Sequence, residues 1–192
     1  WYFEDGALSI DHYSAEAALG FALFQEKGCI DCHQMGDNVS LFSDGGFYNT
    51  GIGYLRQQRG VDLDKVQLAP GVYVVPLVSA ETETFIDDGR AEVTGQSEDR
   101  WQYRTPSLRN VAITFPYMHD GSLPTLESVV AYYAGNGSED PLQDVRISDM
   151  TITLDEQQAL VAFLRTLTSN QVDALVSDAR SVEIGERGAA GL

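Results

Sequence analysis

Cysteine is scarce in this chain: its 192 residues include only Cys29 and Cys32. A structural zinc site built on thiols needs further ligands at short spacing, and there is no third cysteine to supply one. Basic residues are also few, 12 Lys and Arg against 29 Asp and Glu, for a net charge of −17. That balance argues against nucleic acid and against anionic membrane surfaces as partners. An acidic surface can steer a basic protein or a cationic small molecule, and it serves equally well to keep a protein in solution. No apolar run approaches the ~20 residues that a membrane span needs, and no signal peptide is visible. Internal repeats are absent too, so one full domain over 1–192 is the economical reading. The chain opens on Trp1 rather than Met, from which we expect a processed or truncated product.

What the chain does have is Cys29-Ile30-Asp31-Cys32-His33, a C-x-x-C-H sequence that reads as a c-type haem attachment site. Two thiols at this spacing can each add to one vinyl group of a haem, and the adjacent imidazole is then held beneath the iron. A C-x-x-C redox pair is the rival reading, but such a dithiol needs no trailing histidine and expects a βαβ context that this sequence lacks. Haem c uses both cysteines, so no disulfide remains to report the compartment. Attachment itself places the protein outside the bacterial cytoplasm, in the periplasm or an equivalent extracytoplasmic space.

Around the motif the pattern is helical at both ends and irregular between. Ser14 reads as the N-cap of a helix over 15–24, with Gly28 stopping the chain just before Cys29. Residues 34–102 carry turn signals at Asp44-Gly45-Gly46, Gly51 and Gly53 and read as loop, with a short strand at Val72-Tyr73-Val74-Val75 ahead of Pro76. Long loops in a compact domain tend to be functional, and a large flat cofactor is what they can wrap. A second helix fits 125–134, stopped by Gly135. Thr153 and Glu156 form a capping box that opens an amphipathic helix carrying Leu160, Phe163, Leu164 and Leu167. These parts predict an all-α, cytochrome c-like haem domain with long irregular loops and a short β element. Its core spans about 14–168, and 169–192 form a C-terminal tail.

Longer motifs carry a resemblance. They are Phe42-Ser-Asp-Gly-Gly-Phe-Tyr-Asn-Thr-Gly51, Asp88-Gly-Arg90, Val93-Thr-Gly95, Arg104-Thr-Pro-Ser-Leu-Arg-Asn-Val111 and Pro116-Tyr-Met-His-Asp-Gly121. Together with the C-x-x-C-H site, they make the chain resemble the C-terminal haem domain of bacterial di-haem cytochrome c peroxidases and MauG-type proteins, from about Phe21 to Ser169. The resemblance implies two c-type haems in two domains, a calcium ion between them and a periplasmic location. It implies an N-terminal haem that reacts with hydrogen peroxide and a C-terminal haem that passes or stores oxidising equivalents. The expected partners are a second haem domain or chain, a redox-protein donor or protein substrate, and peroxide, and a homodimer is compatible with them. By the same resemblance His33 is the proximal iron ligand, and the backbone carbonyls of Thr114 and Pro116 match calcium-binding positions.

Two residues compete for the sixth iron position. Met118 is a thioether in an irregular stretch, and cytochromes often pair histidine with methionine. The family's axial position, however, lies in the helix after the Pro-Tyr-x-His segment, where Tyr133 falls; peroxidases carry Met there and MauG-type members carry Tyr. A thioether favours ferrous iron, whereas a phenolate stabilises higher oxidation states. No catalytic residue is assigned. His12 and His119 suit structural roles as well as ligation or electron transfer. Arg90, Arg104 and Arg109 suit haem propionates as well as surface ion pairs, and Trp1 and Trp101 suit electron relay as well as packing. A di-haem protein needs two C-x-x-C-H motifs and the sequence holds one. Three accounts follow: an incomplete fragment, a second haem on another chain, or a mono-haem electron carrier without peroxidase chemistry.

Overall fold

A computed structural model describes residues 13–36, 40–59, 87–169, 171–172 and 177, together with short strands at 3–4, 7–8, 66–69 and 72–74. Trp1, His12, Val75, Pro76 and the glycine-rich end of the tail lie outside the described residues. In chain order the elements are β1 (Phe3–Glu4), β2 (Ala7–Leu8), α1 (Ala15–Glu26), β3 (Phe47–Asn49), α2 (Ile52–Arg59) and β4 (Val66–Ala69). They continue with β5 (Val72–Val74), α3 (Ala91–Thr94), β6 (Gln102–Arg104), α4 (Leu126–Ala134) and α5 (Leu154–Thr166).

The three longest helices begin where local chemistry starts them. Ser14 Oγ accepts the Ala17 N–H at 3.1 Å, satisfying one of the free donors at the start of α1. At the other end Gly28 takes φ +78°, a left-handed turn that turns the chain out of the helix directly into Cys29. Thr125 with Ser128, and Thr153 with Glu156, each form a reciprocal capping box at the heads of α4 and α5.

The core is the crossing of α1 with α5. Phe24 and Phe163 meet with ring centroids 5.1 Å apart, Phe21 approaches Phe163 at 5.3 Å, and Phe42 closes the cluster edge-on at 6.3 Å from Phe24. Leu23, Leu160, Leu164 and Leu167 fill the space around these rings, and α4 adds Leu126 and Val130. Burying each such side chain stabilises the fold by roughly 1.5–3 kcal/mol. The crossing is close because Gly20 has no side chain: a methyl group there would run into the Ala159 carbonyl.

The structure is mostly helical, as read from the sequence, but its β content is wider than one short element. Among the described residues three antiparallel two-stranded ribbons form, β1 with β2, β3 with β6 and β4 with β5. The strand read at Val72 is β5. Within 34–102, taken as loop, the chain also builds α2 and β3. The Asn49 side chain accepts the Gly51 N–H at 2.8 Å and the Gly51 carbonyl accepts from Leu55, so a turn of mixed composition starts a helix of good formers, Leu55, Gln57 and Gln58. Tyr48 pairs with Tyr103 across β3 and β6, which brings the loop after the C-x-x-C-H segment against residues 102–106.

Replacing Gly20 with Ala should destabilise the protein by about 1–3 kcal/mol, the usual cost of overpacking. Chemical denaturation of the variant measures it, and unchanged stability would mean that the helices do not cross this closely.

Candidate functional site

The loop after α1 is a tight one. Cys29–Asp31 form a single 3-10 turn, and the His33 N–H donates to the Cys29 carbonyl at 3.0 Å, so both thiols and the imidazole are held on one short arc. His33 Nδ1 lies 2.8 Å from the Phe42 carbonyl oxygen. A carbonyl only accepts, so Nδ1 carries the proton and Nε2 keeps its lone pair for a ligand. Burial pulls the His33 pKa below the ordinary histidine value, with the Phe42 carbonyl acting in the opposite sense. The imidazole is therefore neutral at neutral pH, the form that binds metal.

The thiols separate the two readings of the C-x-x-C pair. A dithiol redox centre needs a nucleophilic cysteine with a depressed pKa. Here burial pushes Cys29 up to about 11, and burial also raises Cys32. Both stay protonated at neutral pH, which suits sulfurs destined for thioether bonds and not a thiol exchanger.

Tyr133 sits in the last turn of α4, half-buried and within electrostatic reach of Cys29 and Cys32. Desolvation raises its pKa well above the usual phenol range, with Tyr132 and the two thiols adding to the effect. Among the described residues no charged side chain acts on that phenol, whereas a ferric ion would. Met118, the competing residue, occupies a left-handed turn at φ +68° that closes with the Gly121 N–H on its carbonyl at 3.3 Å.

The residues fit a c-type haem. Besides the two thiols, the neutral imidazole and the phenol, several apolar side chains packed on the core keep part of their surface uncovered, among them Ile30, Met35, Leu108, Ala112, Ala134 and Met150. Thr105 adds a buried hydroxyl with no hydrogen-bond partner among the described groups. It precedes Pro106, whose carbonyl acts on His33. A polar edge of a bound group would satisfy it.

Other expected residues fall at the periphery. Thr114 ends the 3-10 turn over Val111–Ile113, and Pro116 follows two residues later, both exposed. Among the described residues no group of three or more His, Cys, Asp and Glu side chains is placed to hold a metal ion, so calcium here would rest on main-chain carbonyls. His119 stacks on Tyr103 with ring centroids 3.5 Å apart and leaves its other side exposed. Arg90 pairs with Asp99 at 3.4 Å and lies over the Phe47 ring with Arg104, while Arg109 is exposed. Trp101 is buried, edge-on to Tyr54 at 6.0 Å and covered by Arg100.

Comparison with known proteins gives this geometry a context. No family model matches the chain. It is 34% identical over 175 residues to a cytochrome-c peroxidase, IdrP1, of Denitromonas iodatirespirans, covering 82% of this chain and 42% of that protein. The methylamine utilization protein MauG of Methylorubrum extorquens is 33% identical over 154 residues, covering 80% of this chain and 35% of the relative. The chain is a homologue of the cytochrome c peroxidases and MauG. In three dimensions it matches the crystal structure of a MauG-like protein associated with microbial copper homeostasis, with a TM-score of 0.59 and 27% identity, over 83% of this chain and 45% of that one. The chain thus spans less than half the length of these relatives.

Sequence reasoning missed the polar lock that holds the turn after α4. Gln143 accepts the Ser138 N–H at 2.7 Å and donates to the Asn136 carbonyl at 2.8 Å and to Ser148 Oγ at 3.1 Å. Gly51 and Gly137, both at positive φ, leave the room in which its amide lies. Beside it, Asn49 donates to Asp140 at 2.8 Å and Tyr132 donates to the Thr50 carbonyl at 2.7 Å. The only sequence trace of the lock is a glycine and asparagine cluster after α4, which reads as an ordinary turn. Replacing Gln143 with Ala strands the Ser138 donor and the Asn136 acceptor. It should cost about 1–3 kcal/mol per group left unsatisfied, measured by thermal unfolding; no loss would mean the lock is not needed to seat Tyr133.

Proposed function

We propose that this chain is the haem c-bearing electron-transfer domain of a MauG-like or di-haem cytochrome c peroxidase-like oxidoreductase. The observation that carries this reading is the convergence of a Cys29, Cys32 and His33 arc with the half-buried Tyr133 phenol from α4. In this reading the fold is cytochrome c-like, and Cys29 and Cys32 hold the porphyrin through thioether bonds. A bound haem supplies one-electron chemistry at its iron.

The protein's own groups do the rest. His33 would offer Nε2 to the iron, held in tautomer and orientation by the Phe42 carbonyl. Tyr133 would offer its phenol oxygen as a second ligand, in a site where desolvation disfavours a free phenolate and ligation would satisfy the charge. A hard anionic donor favours the oxidised metal and suits a domain that stores oxidising equivalents. Met118 is the alternative sixth ligand. The peroxide-reacting haem belongs to a second domain or chain, with calcium on the Thr114 and Pro116 carbonyls at the junction. Reduced redox proteins or protein substrates are the electron donors, and the whole works in the periplasm. The single C-x-x-C-H motif of the sequence keeps a mono-haem electron carrier as the second reading.

Two measurements test this. The ferric spectrum of the haem-loaded protein should lack a methionine-to-iron charge-transfer band, should change in Tyr133→Phe and should stay the same in Met118→Leu. The reverse pattern would assign the position to Met118. Combined with the haem unit that completes the pair, the chain should support peroxide-dependent oxidation of a reduced redox protein, and a Cys29→Ser, Cys32→Ser variant should not. Turnover that survives the double substitution would contradict the role of this domain.

A further inference from the structure

A phenol loses an electron readily when a base already holds its proton, because the oxidised phenol is a strong acid. Tyr48 has such a base. Its hydroxyl donates to Asp44 Oδ2 at 2.5 Å, while Asp44 Oδ1 accepts the Gly46 N–H at 2.8 Å. Asp44 is in turn anchored to the haem-attachment loop, its own N–H donating to the Cys32 carbonyl at 2.8 Å. Tyr48 itself lies within electrostatic reach of Cys32. Tyr48 is only half-buried, on the short strand β3, so the ring faces both the Cys32 edge and solvent. The Arg146 guanidinium lies over it, 4.4 Å from the ring centre, and is fixed there by two bonds to Asp144 at 2.7 and 2.8 Å.

The ground-state charges suit the same chemistry. Burial pushes the Asp44 carboxyl up, but the bonds from Tyr48 and Gly46 hold it below the ordinary carboxylate value. The bond to Asp44, followed by desolvation, keeps the Tyr48 phenol above its ordinary value, with Arg146 acting against both. At neutral pH the pair is thus a neutral phenol on an ionised carboxylate, with one proton between them. Two other half-buried phenols are placed differently. Tyr117 and Tyr132 donate to the main-chain carbonyls of Val111 and Thr50, which cannot take up a proton.

We propose that Tyr48 is a redox-active tyrosine with Asp44 as its proton acceptor, through which an oxidising equivalent leaves the Cys32 edge of the haem for a one-electron donor at the protein surface. Tyr48 gives one electron to an oxidising equivalent that peroxide has delivered to the haem. Its O–H bond breaks, and the proton forms a new O–H bond on Asp44 Oδ2. The neutral tyrosyl radical then takes one electron from the donor, and the proton returns from Asp44. The net result is a haem equivalent reduced by one electron and a donor oxidised by one.

This rests on the haem-domain reading above, so the test uses an oxidant that needs neither peroxide nor the second haem. The haem-loaded chain is photo-oxidised by a flash-generated ruthenium(III) polypyridyl complex, frozen and read by electron paramagnetic resonance. The wild type should give a tyrosyl signal, which Tyr48→Phe should remove. Asp44→Asn keeps the phenol and takes away the base. It should slow radical formation by about 10²-fold, the low end of what a positioned general base contributes, and wild-type formation should slow in deuterated water. A Tyr48→Phe protein with the wild-type signal, or an Asp44→Asn protein at the wild-type rate, would overturn the proposal and leave a fastening role for the pair. Haem content, read separately as the pyridine haemochrome, reports on the domain reading, so a fully loaded chain without the Tyr48 signal counts against this inference alone.

Discussion

The hydrogen bond from His33 Nδ1 to the Phe42 carbonyl joins the chemistry of this protein to its core. Phe42 is among its most buried side chains, in the same ring cluster as Phe24 and Phe163, and its backbone turns through a left-handed conformation at φ 55°. Its side chain is thereby locked into the α1–α5 crossing while its carbonyl is free to fix the imidazole. The same crossing delivers α1 into the C-x-x-C-H arc through Gly28, so core packing sets both ends of the His33 geometry. A ligand oriented by a rigid acceptor loses little entropy on binding metal, and such partners tune the metal as well as the ligand.

The site's electrostatics follow from burial more than from charge pairs. Desolvation is the largest cause of the shifts at Cys29, Cys32, His33 and Tyr133, and each shift favours the neutral form. An arrangement of four neutral groups in an apolar setting is poor for thiol exchange or hydrolysis. It suits groups whose charge is to be shared with a metal centre. Lys27 with Glu156 at 3.0 Å, Arg100 with Asp88 at 2.8 Å and Arg165 with Glu127 at 2.6 Å are partly exposed, where such pairs contribute little, while Arg146 with Asp144 lies within electrostatic reach of Cys32.

Much of this was legible in the sequence because it is local. The Ser14 cap, the Gly28 stop and the Thr153 and Glu156 capping box each involve residues within a few positions of one another, and all three formed as read. The C-x-x-C-H arc is local too. What the sequence hid depends on partners far along the chain. The three ribbons need strands of two to four residues to find one another, too short for an alternation to declare itself. The Gln143 lock joins the turn after α4 to the head of α2. Tyr48, Asp44 and Arg146 come together only because β3 folds back beside the Cys32 loop. Tyr133 could be singled out by resemblance, but its placement within reach of the two thiols is a tertiary fact.

One measurement goes to the centre of the account. The pigmented protein is digested and the fragment containing Cys29 and Cys32 is weighed by mass spectrometry. The account predicts that this fragment carries one haem and no free thiol, and that the pigment stays with the protein in acidified butanone. A haem-free fragment with two intact thiols, its pigment extracted into the solvent, would contradict it.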